Sequence, residues 1–230
     1  MSGRKKEPLT PLQQEIINAL KGIEEAKGFY FTGGSALSAY YLCHRLSEDM
    51  DFFTPTERLI QYLPEKLSTE LEKKGIKVNL IRSFSSFVEI VVQKGKESMR
   101  VQFALDSPYR LDKTKEIDGV IVDSLIDIAA GKLLALFGRA AERDFVDIYF
   151  LIKEGYCNLD ELIQKASEKD PGMDKYFLAM AFEQVREFPD NPNDLRLKLL
   201  KPLDIKDMKR IFIEKAVELL EEVRKRKDDN

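Results

Sequence analysis

Residues 29–53, FYFTGGSALSAYYLCHRLSEDMDFF, restrict the possible folds more than any other stretch of the chain. They read as strand, glycine turn, helix and strand. Phe29, Tyr30 and Phe31 form the short aromatic run that a half-buried strand favours. Gly33 and Gly34 break that run, and glycine lets a backbone turn tightly and approach a ligand closely. Ser35 suits a helix N-cap, and residues 36–46 have helix-forming composition. Unpaired backbone N–H groups and the positive end of a helix dipole would then face outward at Gly34 and Ser35, where a phosphate is well received. Asp49 and Asp51 stand two apart, so on a strand they share one face. A phosphate cradle beside paired carboxylates points to magnesium and a nucleoside triphosphate.

Composition narrows the setting. The chain has 230 residues, a net charge of −3 and 33% charged residues of both signs. That balance excludes a bulk nucleic-acid binder, so any cationic patch must be local. Two cysteines, Cys43 and Cys157, do not make a disulfide framework and fit a reducing compartment. No apolar run is long enough to span a membrane, and the opening residues MSGRKKEPLT lack the apolar core of a signal peptide. The expected location is cytoplasmic, without membrane contact.

Along the chain, residues 2–7 are charged and expected to fray. A helix opens at Thr10 or Pro11 and runs to about Lys27, with Leu12, Ile16, Ile17, Leu20 and Ile23 at helical spacing. After residue 56 another helix carries Leu59, Leu63, Leu67 and Leu71 on one stripe and ends at Lys74 and Gly75. Residues 76–81, 87–93 and 99–105 read as strands, with Gly95 as a hairpin turn. Residues 120–122 suggest a further short strand, and Asp123 or Ser124 caps a helix. From there the chain reads as helical, broken near Pro171 and Pro189, with a last amphipathic helix over 211–223 and a polar tail. The expected fold is α+β: an N-terminal helix (1–27), a mixed β-sheet with packed helices (28–120) and a mainly helical C-terminal part (121–230).

Gly33, Gly34 and Ser35, a short helix, then Asp49, Met50 and Asp51 resemble the signature of the polymerase-beta-like nucleotidyltransferase superfamily. The wording GGSAL … HRLSEDMDFF is similar to the AbiEii/AbiGii toxin family within it, and residues 132–151, KLLALFGRAAERDFVDIYFL, agree with that family's second block. The resemblance implies a nucleotidyltransferase-like sheet and transfer of a nucleotidyl group from a nucleoside triphosphate to an acceptor such as RNA, with tRNA one such acceptor. It also implies a toxin-like role beside an antitoxin protein. Asp49 and Asp51 would hold Mg2+ (or Mn2+), and Gly33, Gly34 and Ser35 would hold phosphates. Lys132 and Arg143 would bind the nucleotide, and Asp144 and Asp147 would join Asp49, Asp51 and Lys132 in the catalytic set.

Several residues carry a second reading. Lys132 lies in an apolar helix and could simply snorkel at its edge. If that helix continues to Asp147, Lys132, Arg139 and Arg143 share a face and form a cationic stripe for phosphate. Arg143 and Asp147, four apart, could instead brace the helix. The superfamily usually adds a third carboxylate from a neighbouring strand. Gln102 occupies the corresponding position and brings no charge. Asp106 or Glu89 could take its place. Alternatively the site holds one metal, uses another proton acceptor, or belongs to a catalytically impaired nucleotide-binding regulatory protein. His44, the single histidine, has no zinc-ligand company and reads as a structural hydrogen-bonder. Arg45 reads equally as a phosphate-steering or a solvated residue.

Overall fold

The computed structural model describes residues 8–228. The charged segment 2–7 lies outside them. Residue contacts divide the chain into two units, Met1–Ile128 and Ala129–Asn230.

The first unit opens with α1 (Pro11–Leu20), whose N-terminus is closed by a reciprocal pair: the Thr10 hydroxyl accepts from the Gln13 N–H and the Gln13 side chain accepts from the Thr10 N–H. The helix expected to reach Lys27 stops at Leu20. Gly22 folds back onto the Ala19 carbonyl, and a 3-10 turn follows over Glu24–Gly28. β1 (Tyr30–Thr32) then leads through the glycine turn into α2 (Gly33–Leu37) and a π-turn, Ser38–Leu42. The helix expected to run to residue 46 ends there, because Cys43 turns into the left-handed region with φ 50° while its N–H bonds back to the Ser38 carbonyl.

β2 (Asp49–Thr54), α3 (Leu59–Glu72), β3 (Lys77–Phe84), β4 (Phe87–Lys94) and β5 (Glu97–Leu105) follow. Two short strands, β6 (Lys115–Ile117) and β7 (Val120–Val122), complete a seven-stranded mixed sheet of order β3-β4-β5-β2-β1-β7-β6. β2 runs parallel to β5 and β1 parallel to β7; the other neighbours are antiparallel. The expected boundary at 120/121 falls inside β7, a strand of this sheet.

Alternation along β2 sets the two faces. Met50 and Phe52 are buried, whereas Asp49, Asp51 and Phe53 are half-buried on the opposite side. On the apolar face Phe52 stacks between Phe31 and Phe103, with ring centroids 4.9 Å and 5.7 Å apart. Such pairs add about 0.5–1.5 kcal/mol each beyond area burial. Leu63, Leu67 and Leu71 of α3 are fully buried, as their stripe requires, and α3 packs over β3, β4 and β5.

The second unit takes up α4 (Leu125–Arg139) after its first turn and adds α5 (Glu142–Lys153), α6 (Leu159–Lys169), α7 (Lys175–Glu183) and α8 (Ile205–Asp228). Its core forms around Phe145, whose ring meets Phe188 and Phe212 edge-on at 5.0 Å and 4.7 Å. The last helix is longer than the 211–223 expected. The helix carrying Lys132 does not continue to Asp147, the condition for a shared cationic face: Ala140 sits at φ 46° between α4 and α5. Lys132, Arg139 and Arg143 therefore do not form one helical stripe. Among the described residues no helix is long and apolar enough to cross a membrane.

Candidate active site

The glycine turn and the carboxylates are one local construction. Gly33 has φ 71°, a left-handed value that glycine adopts at little cost. A Cβ on Gly33 would stand 2.1 Å from Oδ2 of Asp51, so the absence of a side chain lets that carboxylate rest against the turn. Ser35 is buried, and its hydroxyl donates to the Asp49 carbonyl. Gln13 of α1, fully buried, donates from Nε2 to the Ser47 carbonyl at 2.9 Å and approaches Ser35 Oγ at 3.4 Å. The Ser35 side chain thus ties the turn to β2, and what the turn offers a phosphate is its backbone.

Sheet register extends the polar face outward from β2. Across β5, Asp49 pairs with Arg100 and Asp51 with Gln102. Across β4, Gln102 pairs with Glu89. On the other side Thr32 of β1 pairs with Asp51. Arg100 forks onto Asp49, with Nε to Oδ1 at 2.9 Å and Nη2 to Oδ2 at 3.2 Å. The Asp49 charge, with this hydrogen bond, raises the Arg100 guanidinium above its usual pKa. Gln102 Nε2 donates to Glu89 Oε2 at 2.7 Å, and Glu89 is buried. Thr32 donates to Asp123 at 2.7 Å.

A second polar knot lies on the same unit. Arg110 is bound by Asp123, with Asp106 and Asp127 each at 3.4 Å, and stands 4.3 Å over the Tyr30 ring. Asp106 also accepts from the Tyr30 hydroxyl. Burial first, and then that bond, pushes the Tyr30 phenol above its usual pKa and keeps it a donor. Among the described residues no three or more His, Cys, Asp or Glu side chains are grouped to hold a metal ion. This corrects the expectation for Asp106: it belongs to the arginine knot, and the set Asp49, Asp51 and Asp106 is not assembled. Asp49 and Asp51 nevertheless offer hard oxygen donors on one face. Two carboxylates completed by substrate phosphates and water are the usual protein complement for magnesium, and manganese accepts the same donors.

In the second unit the structure brings together three residues singled out from sequence. Lys132 Nζ lies 2.9 Å from Asp147 and 3.5 Å from Asp144, and all three are buried. Arg139 forks onto Asp144 at 2.7 Å and 3.0 Å. The ammonium expected to meet a triphosphate is already matched by two carboxylates. Arg143, half-buried, follows the Ala140 break at the start of α5. His44 and Arg45 of the first unit are buried, so Arg45 is not a solvated surface residue.

Sequence reasoning missed Gln13, Arg100 and the Thr32–Asp123 contact. Gln13 announces itself only as the fourth residue of a Thr-x-x-Gln cap, with no sign that it also holds the loop before β2. Arg100 and Thr32 become site residues only through strand register.

The sequence profile described as the nucleotidyl transferase AbiEii toxin of type IV toxin–antitoxin systems matches residues 18–225. An uncharacterized protein of Aquifex aeolicus is 26% identical over 184 residues, covering 76% of this chain and 84% of that one. A Helicobacter pylori protein solved as a candidate nucleotidyltransferase superposes with TM-score 0.59 at 19% identity, over 92% of this chain and 95% of that chain. The nucleotidyltransferase toxin MenT4 of Mycobacterium tuberculosis gives TM-score 0.50 at 14% identity, over 90% and 85% of the two chains. At these identities the two solved structures show a shared fold.

Proposed function

The chain belongs to the AbiEii nucleotidyl transferase toxin family of type IV toxin–antitoxin systems, and from that premise we propose that it is a magnesium-dependent nucleotidyltransferase whose acceptor is RNA, tRNA being one such acceptor. The observation that carries the metal is the pairing of Asp49 and Asp51 on one strand face, with Asp51 seated against side-chain-free Gly33.

Asp49 and Asp51 hold magnesium, or manganese in its place. When bound, the ion supplies Lewis-acid stabilisation to the charge that develops on the phosphates as pyrophosphate leaves. The backbone of Gly33, Gly34 and Ser35 receives phosphate oxygens, since turn and helix-start N–H groups favour anions. The acceptor hydroxyl attacks the α-phosphate, forming a phosphodiester bond as the bond to pyrophosphate breaks. The family resemblance assigns Lys132 and Arg143 to nucleotide binding and Asp144 and Asp147 to the catalytic set, with Asp147 the candidate acceptor of the proton from the attacking hydroxyl. A reducing cytoplasmic setting fits a chain with two cysteines. An antitoxin encoded with the protein is its expected partner.

Titration calorimetry with magnesium and each nucleoside triphosphate, on wild type, Asp49→Ala and Asp51→Ala, tests the site. Both variants should fold and lose magnesium-dependent triphosphate binding, and labelled transfer to total RNA should vanish with it. Unchanged affinity in both would refute the assignment. Transfer to protein but not to RNA would move the acceptor to another class.

A further inference from the structure

The position where the superfamily carries a third carboxylate holds Gln102, and its surroundings give that amide a defined orientation. Glu89, Gln102 and Asp51 stand in one row across β4, β5 and β2, in direct register and on one face. Neighbouring strands lie about 4.8 Å apart, so the row is continuous at side-chain reach. Gln102 Nε2 donates to buried Glu89 at 2.7 Å. A carboxylate accepts hydrogen bonds, and only the nitrogen end of a glutamine amide donates. The bond to Glu89 therefore fixes which branch of the amide is which, and Oε1 occupies the branch turned away from Glu89.

Resting on the magnesium reading above, we infer that Gln102 is a neutral oxygen ligand for the metal held by Asp49 and Asp51, and that Glu89 is the positioning residue that presents its oxygen. Glutamine carbonyls are established donors to hard cations. The exchange lowers the charge at the metal: two carboxylates match a divalent ion, where three would exceed it by one. The buried carboxylate is kept, one strand further out. Partners of this kind, bonded to a ligand rather than to the metal, typically govern metal affinity by 10–100-fold. The arrangement also changes what the obvious substitution does. Gln102→Glu would set two carboxylates against each other at the present hydrogen bond, and like charges so close oppose each other's ionisation. Restoring a superfamily-like carboxylate requires moving the charge, with Gln102→Glu and Glu89→Gln together.

Manganese serves as the probe, read by the loss of the free-ion paramagnetic resonance signal on titration into the full chain, with thermal unfolding to confirm folding. Gln102→Leu and Glu89→Gln should each weaken manganese binding about tenfold, the second through a ligand that is itself intact. Gln102→Glu alone should fail to tighten binding, whereas Gln102→Glu with Glu89→Gln should bind at least as tightly as wild type. If Gln102→Leu and Glu89→Gln both bind as wild type while Asp51→Ala does not, Gln102 is no ligand and the proposed site stands without it. If Asp51→Ala also binds as wild type, the metal site itself is misplaced. Should Gln102→Leu not fold, the isosteric Glu89→Gln and the exchanged pair decide the question, and wild-type affinity in Glu89→Gln together with loss in the exchanged pair overturns the inference.

Discussion

Gly33→Ala isolates the idea that a missing side chain seats a catalytic carboxylate. Alanine at φ 71° pays the left-handed penalty, roughly 1–2 kcal/mol. Its Cβ would also stand 2.1 Å from Asp51 Oδ2, where contacts below 3.0 Å do not persist, so the oxygen must retreat by nearly 1 Å. Overpacking of this kind adds about 1–3 kcal/mol. A displacement of about 1 Å in a reacting group can cost on the order of 10²-fold in rate. Gly95 provides the control. It has φ 60° and nothing within 4 Å of a Cβ, so Gly95→Ala pays the backbone penalty alone. Urea unfolding should place Gly33→Ala about 2–5 kcal/mol below wild type and Gly95→Ala about 1–2 kcal/mol below it. Labelled transfer to RNA under conditions where all three proteins are folded should fall about 10²-fold in Gly33→Ala only. Equal destabilisation of the two variants, with transfer unchanged in both, would refute the reasoning.

Four further outcomes follow from the side-chain partners. Arg100→Gln removes the fork on Asp49 and should tighten manganese binding several-fold, since a cation there competes with the guanidinium; weaker binding would show that Arg100 instead holds Asp49 in place. Asp144→Asn leaves Lys132 and Arg139 short of a buried partner and should cost about 3–5 kcal/mol in chemical unfolding, against near-neutral effects at exposed ion pairs. Lys132→Ala should weaken triphosphate binding in calorimetry, whereas Asp147→Asn, if folded, should spare binding and reduce transfer. Asp207 is held down at about 2 by its hydrogen bonds to Lys153 and Arg210. A depressed carboxylate stabilises above its unfolded pKa of about 3.9 and loses that contribution as pH falls toward 2, so unfolding free energy should drop over that window, and Asp207→Asn should flatten the drop.

What could be read from the sequence was local. The strand, glycine turn and paired aspartates declare themselves by spacing, and the Leu63, Leu67 and Leu71 stripe declares the covered face of the sheet. Where the reading failed, a single residue left the expected conformation. Ala140 and Cys43 turn left-handed without being glycine, so composition gave no warning of either helix end. β6 had a visible signal: Asp118 and Gly119 both have positive φ between β6 and β7, the two-residue turn that Asp-Gly favours in a hairpin. Placing a domain boundary at 120/121 hid it. Arg100 and Thr32 could not be found by spacing, because their relation to Asp49 and Asp51 exists only across strands, and Glu89 could be named from the sequence only as a stand-in carboxylate, without its bond to Gln102.

That limit bears on how the missing carboxylate is understood. Position by position, Gln102 is a loss: an amide where an anion is expected. Row by row, the anion is present at Glu89, buried and one strand removed, with the amide bonded to it. Burying a carboxylate costs several kcal/mol unless it is hydrogen-bonded or paired. A Glu89 that served no purpose beside an inert Gln102 would be an expensive ornament in a row whose other members, Gln102 and Asp51, are only half-buried. The pair is better explained as one unit whose inner member meets a cation through a neutral oxygen and whose outer member keeps that oxygen in place. The physical consequence is a site whose metal affinity depends on two residues that share no element, so that substituting either alone should weaken manganese while exchanging their side chains should not.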